Sequence, residues 1–213
     1  MAPRPLFWSL VAGICGGMAI LTRPALLPAV IVLAVVTAGR RRSLLFIFGG
    51  TVAAFVALQL ALNVALYGGP SASGYGSLSH MFELSLPRLI ANAANFGKWL
   101  TYSHTALFWL LWPGALFVLR RQPSAWHLSA VATAAAVPYL FYIVFDDWES
   151  SRFLLPSIAL ILILCARAFA HLSHPSHPSH ASHASHLFML AIALVCAAAS
   201  HRFLERAGLY RLH

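Results

Sequence analysis

The chain has 213 residues, 60% of them hydrophobic and only 9% charged, with a formal charge of +9 and a mean hydropathy of +0.78. A soluble domain of this size carries about a quarter charged residues, so the composition excludes a surface that faces water all round and points to an integral membrane protein. Only helices or closed barrels satisfy every backbone group in a bilayer, and apolar runs of about 16 to 25 residues without period-two alternation select helices.

The expectation is therefore an all-α, polytopic fold of about seven transmembrane helices. The basic balance has a topological explanation, because arginines in short loops orient spans by the positive-inside rule. Nucleic acid is accordingly set aside as a partner. Cys15, Cys165 and Cys196 fall inside apolar runs without metal-like spacing and read as packing residues.

In chain order, residues 1–22 begin with Arg4 and continue as LFWSLVAGICGGMAILT. No small-x-small cleavage site ends this run, so it reads as a retained span rather than a signal peptide. Gly13 and Gly17 share a helix face, with Gly16 beside them, and predict close helix packing. A phosphate-cradling glycine loop would need a strand before it, and none precedes these residues. Arg23-Pro24 ends the span, and residues 25–39 form a short second one.

Arg40, Arg41 and Arg42 are the strongest topological mark, and placing them in the cytoplasm orients the rest. Residues 43–67 then run outward, 68–98 form an outer-face loop, and 99–119 return so that Arg120 and Arg121 land inside. Residues 123–145 go out, 146–152 form an outer loop, and 153–170 come in. The predicted organisation is thus a transmembrane core over 1–170, a His/Ser/Pro linker over 171–186, and a final apolar helix with a basic tail over 187–213.

Within the outer loop, Gly68, Gly69, Pro70, Gly74 and Gly76 favour an irregular, backbone-exposed path. Ser85-Leu86-Pro87 reads as a helix start, with proline where its missing N–H costs nothing. Leu89, Ile90, Ala93, Phe96, Trp99 and Leu100 then recur at helical spacing. They predict a short interfacial helix anchored by Lys98 and Trp99.

Arg23, at the outer end of a span, suits an anionic headgroup or a lipid-linked phosphate through its fork geometry. The plainer alternative is an arginine snorkelling to the interface. Arg152 opens another span on the same face after Asp146, Asp147, Trp148 and Glu149. It either pairs with these acids or joins Arg23 in a phosphate clamp. Tyr75, His80 and Glu83 supply hydrogen-bonding groups for a sugar or phosphate, with His80 either a proton shuttle or merely a solvated loop residue.

His171, His174, His177, His180, His183 and His186 recur at every third position. A polyproline-like conformation would bring their rings to one side for weak zinc or nickel binding, whereas a low-complexity linker is the bland reading. No Cys or acidic partner lies within the tract to complete a tetrahedral site.

Taken together, GICGGMAILTRP, then LYGGPSASGYGSLSHMFELS with KWLTYSHTALFWLLWP, then DDWESSRFLLP, covering roughly residues 6–160, resemble GT-C membrane glycosyltransferases of the family 39 kind. That family is related to protein mannosyltransferases and the aminoarabinose transferase. The resemblance implies transfer of a sugar from a polyprenyl-phosphate donor at the outer face of a bacterial inner membrane. Its implied partners are that donor and membrane lipid. It implies no cofactor and leaves a divalent metal open. By motif position Arg23 would meet the donor phosphate, Tyr75 and His80 would line the site, and Arg152 would sit at its rim.

Members of the family carry a catalytic acid in a large outer loop well before the Gly-rich span. Here the acids are Glu83, Asp146, Asp147, Glu149 and Glu205 alone, and none lies in such a loop. The expectation is a C-terminal portion of such an enzyme, without a catalytic residue of its own and inactive alone. Two readings from other classes stand beside it. One is a small permease, for which Gln59, Asn63 and His127 are the main polar residues in or near the spans. The other is a non-enzymatic membrane scaffold with a His-rich metal linker.

Overall fold

A computed structural model describes residues 5–38, 41–74, 76–104, 107–144 and 148–173, together with residues 198 and 202. The elements are α1 (Pro5–Thr22), a 3-10 turn (Pro24–Leu26), α2 (Leu27–Ala38), α3 (Arg42–Tyr67), a hairpin of β1 (Ala72–Ser73) and β2 (Gly76–Ser77), α4 (Leu78–Met81), α5 (Leu86–His104), α6 (Leu107–Val118), α7 (Pro123–Leu140), a second 3-10 turn (Trp148–Leu154) and α8 (Leu155–Ser173).

Among the described residues, three helical segments are long and apolar enough to cross a membrane: Pro5–Thr22, Arg42–Tyr67 and Ser151–Leu172. α2 and α6 are apolar but only 12 residues each, about 18 Å of helix against a hydrocarbon core of about 30 Å. α7 has the length, at 18 residues, but Ser, Thr, His and Pro dilute its hydropathy. The final expected span, residues 187–200, lies outside the described residues except for Ala198.

Contacts divide the chain into two compact units, one of Met1–Asn92 with Ala130–Val144 and one of Ala93–Ser129 with Phe145–His213. In the first unit α1 and α3 pack through glycine. A Cβ on Gly13 would stand 2.9 Å from Thr51 Cβ. One on Gly17 would overlap the ring and Cβ of Phe55. Ser9 Oγ donates to the Leu44 carbonyl at 2.7 Å. Positions 9, 13 and 17 thus meet 44, 51 and 55 in rising order, so α1 and α3 run in the same direction and α2 carries the chain back between them.

α2 packs into the same assembly, where Ile20, Val30, Ala34, Phe48 and Val52 form a buried cluster. Gly16 faces Val30, whose Cγ1 would be 3.1 Å from an added Cβ. The outer surface of this bundle is apolar. α3 buries only Phe48 and Val52 of its 26 residues, and Phe46 is 77% exposed. Gly68 ends α3 in the left-handed region at φ 78, its N–H bonded to the Val64 carbonyl, where a side chain would be strained.

Two expected boundaries are corrected. The expected span does not begin afresh at Trp99: the helix after Ser85 runs through to His104, so residues 99–104 belong to α5 and the expected span over 99–119 is divided between α5 and α6. Gly97 is carried inside the helix, and the apolar spacing continues past it through Leu100. α7, expected to reach Phe145, stops at Leu140. Beyond it Tyr142 forms an antiparallel bridge with Phe82.

In the second unit, α6 packs along α8. Trp112 Nε1 donates to Ser129 Oγ at 3.0 Å, and Arg167 Nη2 donates to Gln122 Oε1 at 3.0 Å.

Gly17→Ala is predicted to destabilise the chain by about 1–3 kcal/mol through overpacking. Gly50→Ala, where an added Cβ meets nothing within 4 Å, should cost nothing. Thermal unfolding of the detergent-solubilised chain checks both.

Candidate functional site

Arg23 owes its position to its neighbours on either side. Its N–H still bonds the Ala19 carbonyl at 2.9 Å as the last step of α1. Pro24 then forces the preceding residue out of the helical region, and Arg23 adopts φ −146, ψ 92. The chain turns there, and the guanidinium leaves the helix axis and donates to the hydroxyl of Tyr139 near the end of α7. Because α1 and α3 run in the same direction, Arg23 and the loop that follows Tyr67 lie at the same end of that pair.

Tyr139 is buried and meets the Tyr142 ring edge-on at 6.2 Å between centroids. Tyr142 in turn donates from its hydroxyl to Met81 Sδ at 3.4 Å. The extended segment after α7 is laced to the loop by its backbone. Glu83 N–H bonds the Phe141 carbonyl at 3.0 Å, and Ile143 N–H bonds the Met81 carbonyl at 2.8 Å. Phe82 and Phe141 cover this bridge with rings 6.1 Å apart.

Asn92 locks the arrangement from α5. It is 2% exposed, and its Nδ2 donates to the carbonyls of Leu140 at 3.2 Å and Tyr142 at 2.9 Å. These are carbonyls that the end of α7 leaves without helical partners. Glu83 is held by Arg88 at 2.9 Å, so this carboxylate is already engaged as an ion pair. Arg88 Nη1 is buried and finds no partner among the described residues.

The cluster therefore gathers hydrogen-bond donors, a guanidinium against a phenol, at the end of an apolar helix bundle. Its chemistry is that of anion binding: planar N–H donors fixed in direction.

Of the expected site residues, Arg23 and His80 fall in this first unit. His80 is exposed in the last turn of α4, beside the Met81 that bonds Tyr142. Tyr75 lies outside the described residues. Arg152 belongs to the second unit, exposed in the second 3-10 turn, with its guanidinium 5.4 Å from the Phe153 ring centroid.

Tyr139, Tyr142 and Asn92 were not expected from the sequence. Asn92 carried a signal, since it sits three residues after Leu89 and four before Phe96, on the apolar stripe of α5. A polar residue on a buried face needs partners. The tyrosines carried none, because a continuous apolar run hides which of its residues meet a distant arginine.

Among the described residues no group of three or more His, Cys, Asp and Glu is placed to hold a metal ion, and His174 to His186 lie outside those residues. No family model, curated protein or solved structure matches this chain.

Asn92→Leu should lower stability by about 1–3 kcal/mol, the cost of leaving buried carbonyls unpaired, whereas His80→Ala should leave it unchanged. Paired thermal melts of the two variants provide the check.

Proposed function

We propose that the chain is a polytopic membrane protein of about seven spans and of GT-C type, whose role is to hold a polyprenyl-phosphate-linked sugar donor at the outer face of a bacterial inner membrane. The observation that carries the reading is the setting of Arg23. A guanidinium at the end of an apolar helix is oriented by a buried tyrosine and shares that end with the polar loop after Tyr67. A lipid phosphate needs this combination: an apolar flank for the chain and a fixed cation for the head.

The large apolar exterior supports the membrane placement. Only 11% of the most apolar window of α3 is buried, and a surface of that kind is covered in a bilayer but not in water. Arg41 and Arg42 at the start of α3 set its cytoplasmic end by the positive-inside rule. Glycosyl transfer itself rests on the ordered motif resemblance. In this reading the chain binds the donor phosphate, and Glu83, paired with Arg88, is not the base that activates the acceptor.

The permease reading is the weaker one. Its best polar candidates in α3 are already engaged: Gln59 Nε2 donates to Asn63 Oδ1 at 2.9 Å, and Asn63 Nδ2 donates to the Pro70 carbonyl at 3.0 Å. They tie the helix end to the following turn.

In nanodiscs, Arg23→Ala should weaken binding of a polyprenyl phosphate about ten- to a hundredfold, the worth of a charge-assisted hydrogen bond. Arg23→Lys should restore only part of it, since a point charge replaces the fork. Unchanged affinity in Arg23→Ala would dismiss the reading.

A further inference from the structure

The second unit carries an apolar groove of about 390 Å³ between α6 and α8, lined in part by Leu110, Gly114, Val118, Cys165, Ala168 and Leu172. Its size falls within the roughly 300–1,000 Å³ of ligand-holding clefts. A Cβ added to Gly114 would meet nothing within 4 Å among the described residues, so the absent side chain leaves open space between the described walls.

One end of the groove is cationic. Val118 is the last residue of α6, and Arg120 and Arg121 follow it in the turn, both exposed. Arg120 lies over the Phe117 ring at 4.6 Å. Arg167, next to Ala168 of the groove wall, reaches the same turn through Gln122. Residues 107–129 and 155–173 contain no acidic residue to neutralise these charges. Trp126, 52% exposed, donates from Nε1 to the Arg120 carbonyl at 3.1 Å, an aromatic anchor of the kind found at the headgroup level.

We infer that this groove is a binding site for an anionic phospholipid, its acyl chain against α6 and α8 and its headgroup phosphate against Arg120 and Arg121. Charge complementarity selects the occupant. A zwitterionic lipid would fill the apolar part equally well but gain little from the arginines, whereas each basic residue near an anionic headgroup contributes substantially. The inference rests on the membrane placement proposed above and is independent of glycosyl transfer.

The test is native mass spectrometry of the full chain released from nanodiscs that contain phosphatidylglycerol, phosphatidylcholine and a polyprenyl phosphate in equal amounts. The wild type should retain phosphatidylglycerol. Arg120→Gln and Arg121→Gln should each lower its preference over phosphatidylcholine about fivefold. Gly114→Leu, which fills the open space, should lower retention of phosphatidylglycerol without touching the arginines. Equal retention of the two phospholipids, retention of the polyprenyl phosphate in their place, or a Gly114→Leu chain that keeps its phosphatidylglycerol would each overturn the site. A chain that fails to enter nanodiscs overturns the membrane placement as well; one that enters and shows no headgroup preference overturns the site alone.

Discussion

The close approach of α1 to α3 is the contact on which the first unit depends. Gly17 lies where even a methyl group would overlap Phe55, and Gly13 sits against Thr51 and the Phe48 carbonyl. Small residues let the two backbones near each other, and dispersion accumulates along the seam. Since the helices run in the same direction, α2 must return the chain within 12 residues. It does so by packing Val30 and Ala34 into the same buried cluster. The end of α1 is therefore held by its whole length, and Arg23 emerges from a rigid support.

The other wall of the candidate site depends on hydrogen bonds instead. α7 ends at Leu140, and the segment behind it is apolar yet not helical, so its carbonyls need donors. The backbone of Met81 to Glu83 supplies some of the pairing, and Asn92 supplies two more donations from one amide nitrogen. A single side chain thus joins α5 to the end of α7 and the segment after it, while backbone bonds join that segment to the loop after α4. A buried network of this kind specifies one geometry, because every alternative leaves an unpaired group.

The parts of this fold that were legible in the sequence are those with local causes. Arg23-Pro24 ends α1 because proline dictates the conformation before it, Gly68 ends α3 because it alone accepts the left-handed cap without strain, and the Gly13/Gly17 face reads directly as a packing seam. The parts that were hidden have non-local causes. Val137 to Val144 is a run of aliphatic and aromatic residues around Pro138, and such a run serves a buried helix or an extended segment equally well. The segment beyond α7 is paired instead by the distant Phe82 and Asn92. The Arg23–Tyr139 hydrogen bond links residues far apart in the chain, and no period or spacing announces it. Likewise the change of composition at Lys98 resembled a boundary, but the helix continues through Gly97 and Lys98 because a single glycine costs a helix only about 1 kcal/mol.

The polar groups of so apolar a chain divide by how fully they are engaged. Thr51, Thr101 and Ser103 return their hydroxyls to carbonyls of the preceding turn at 2.7 to 2.8 Å, a local satisfaction that a helix in lipid can always provide. Gln59 and Asn63 are engaged with each other and with a turn. Glu83 and Arg88 form a pair. The arginines differ from these groups because a guanidinium offers five donors and one neutral partner cannot exhaust them. Arg23 meets the phenol of Tyr139, and Arg167 meets the amide of Gln122. A neutral partner gives each guanidinium a direction and leaves its charge in place.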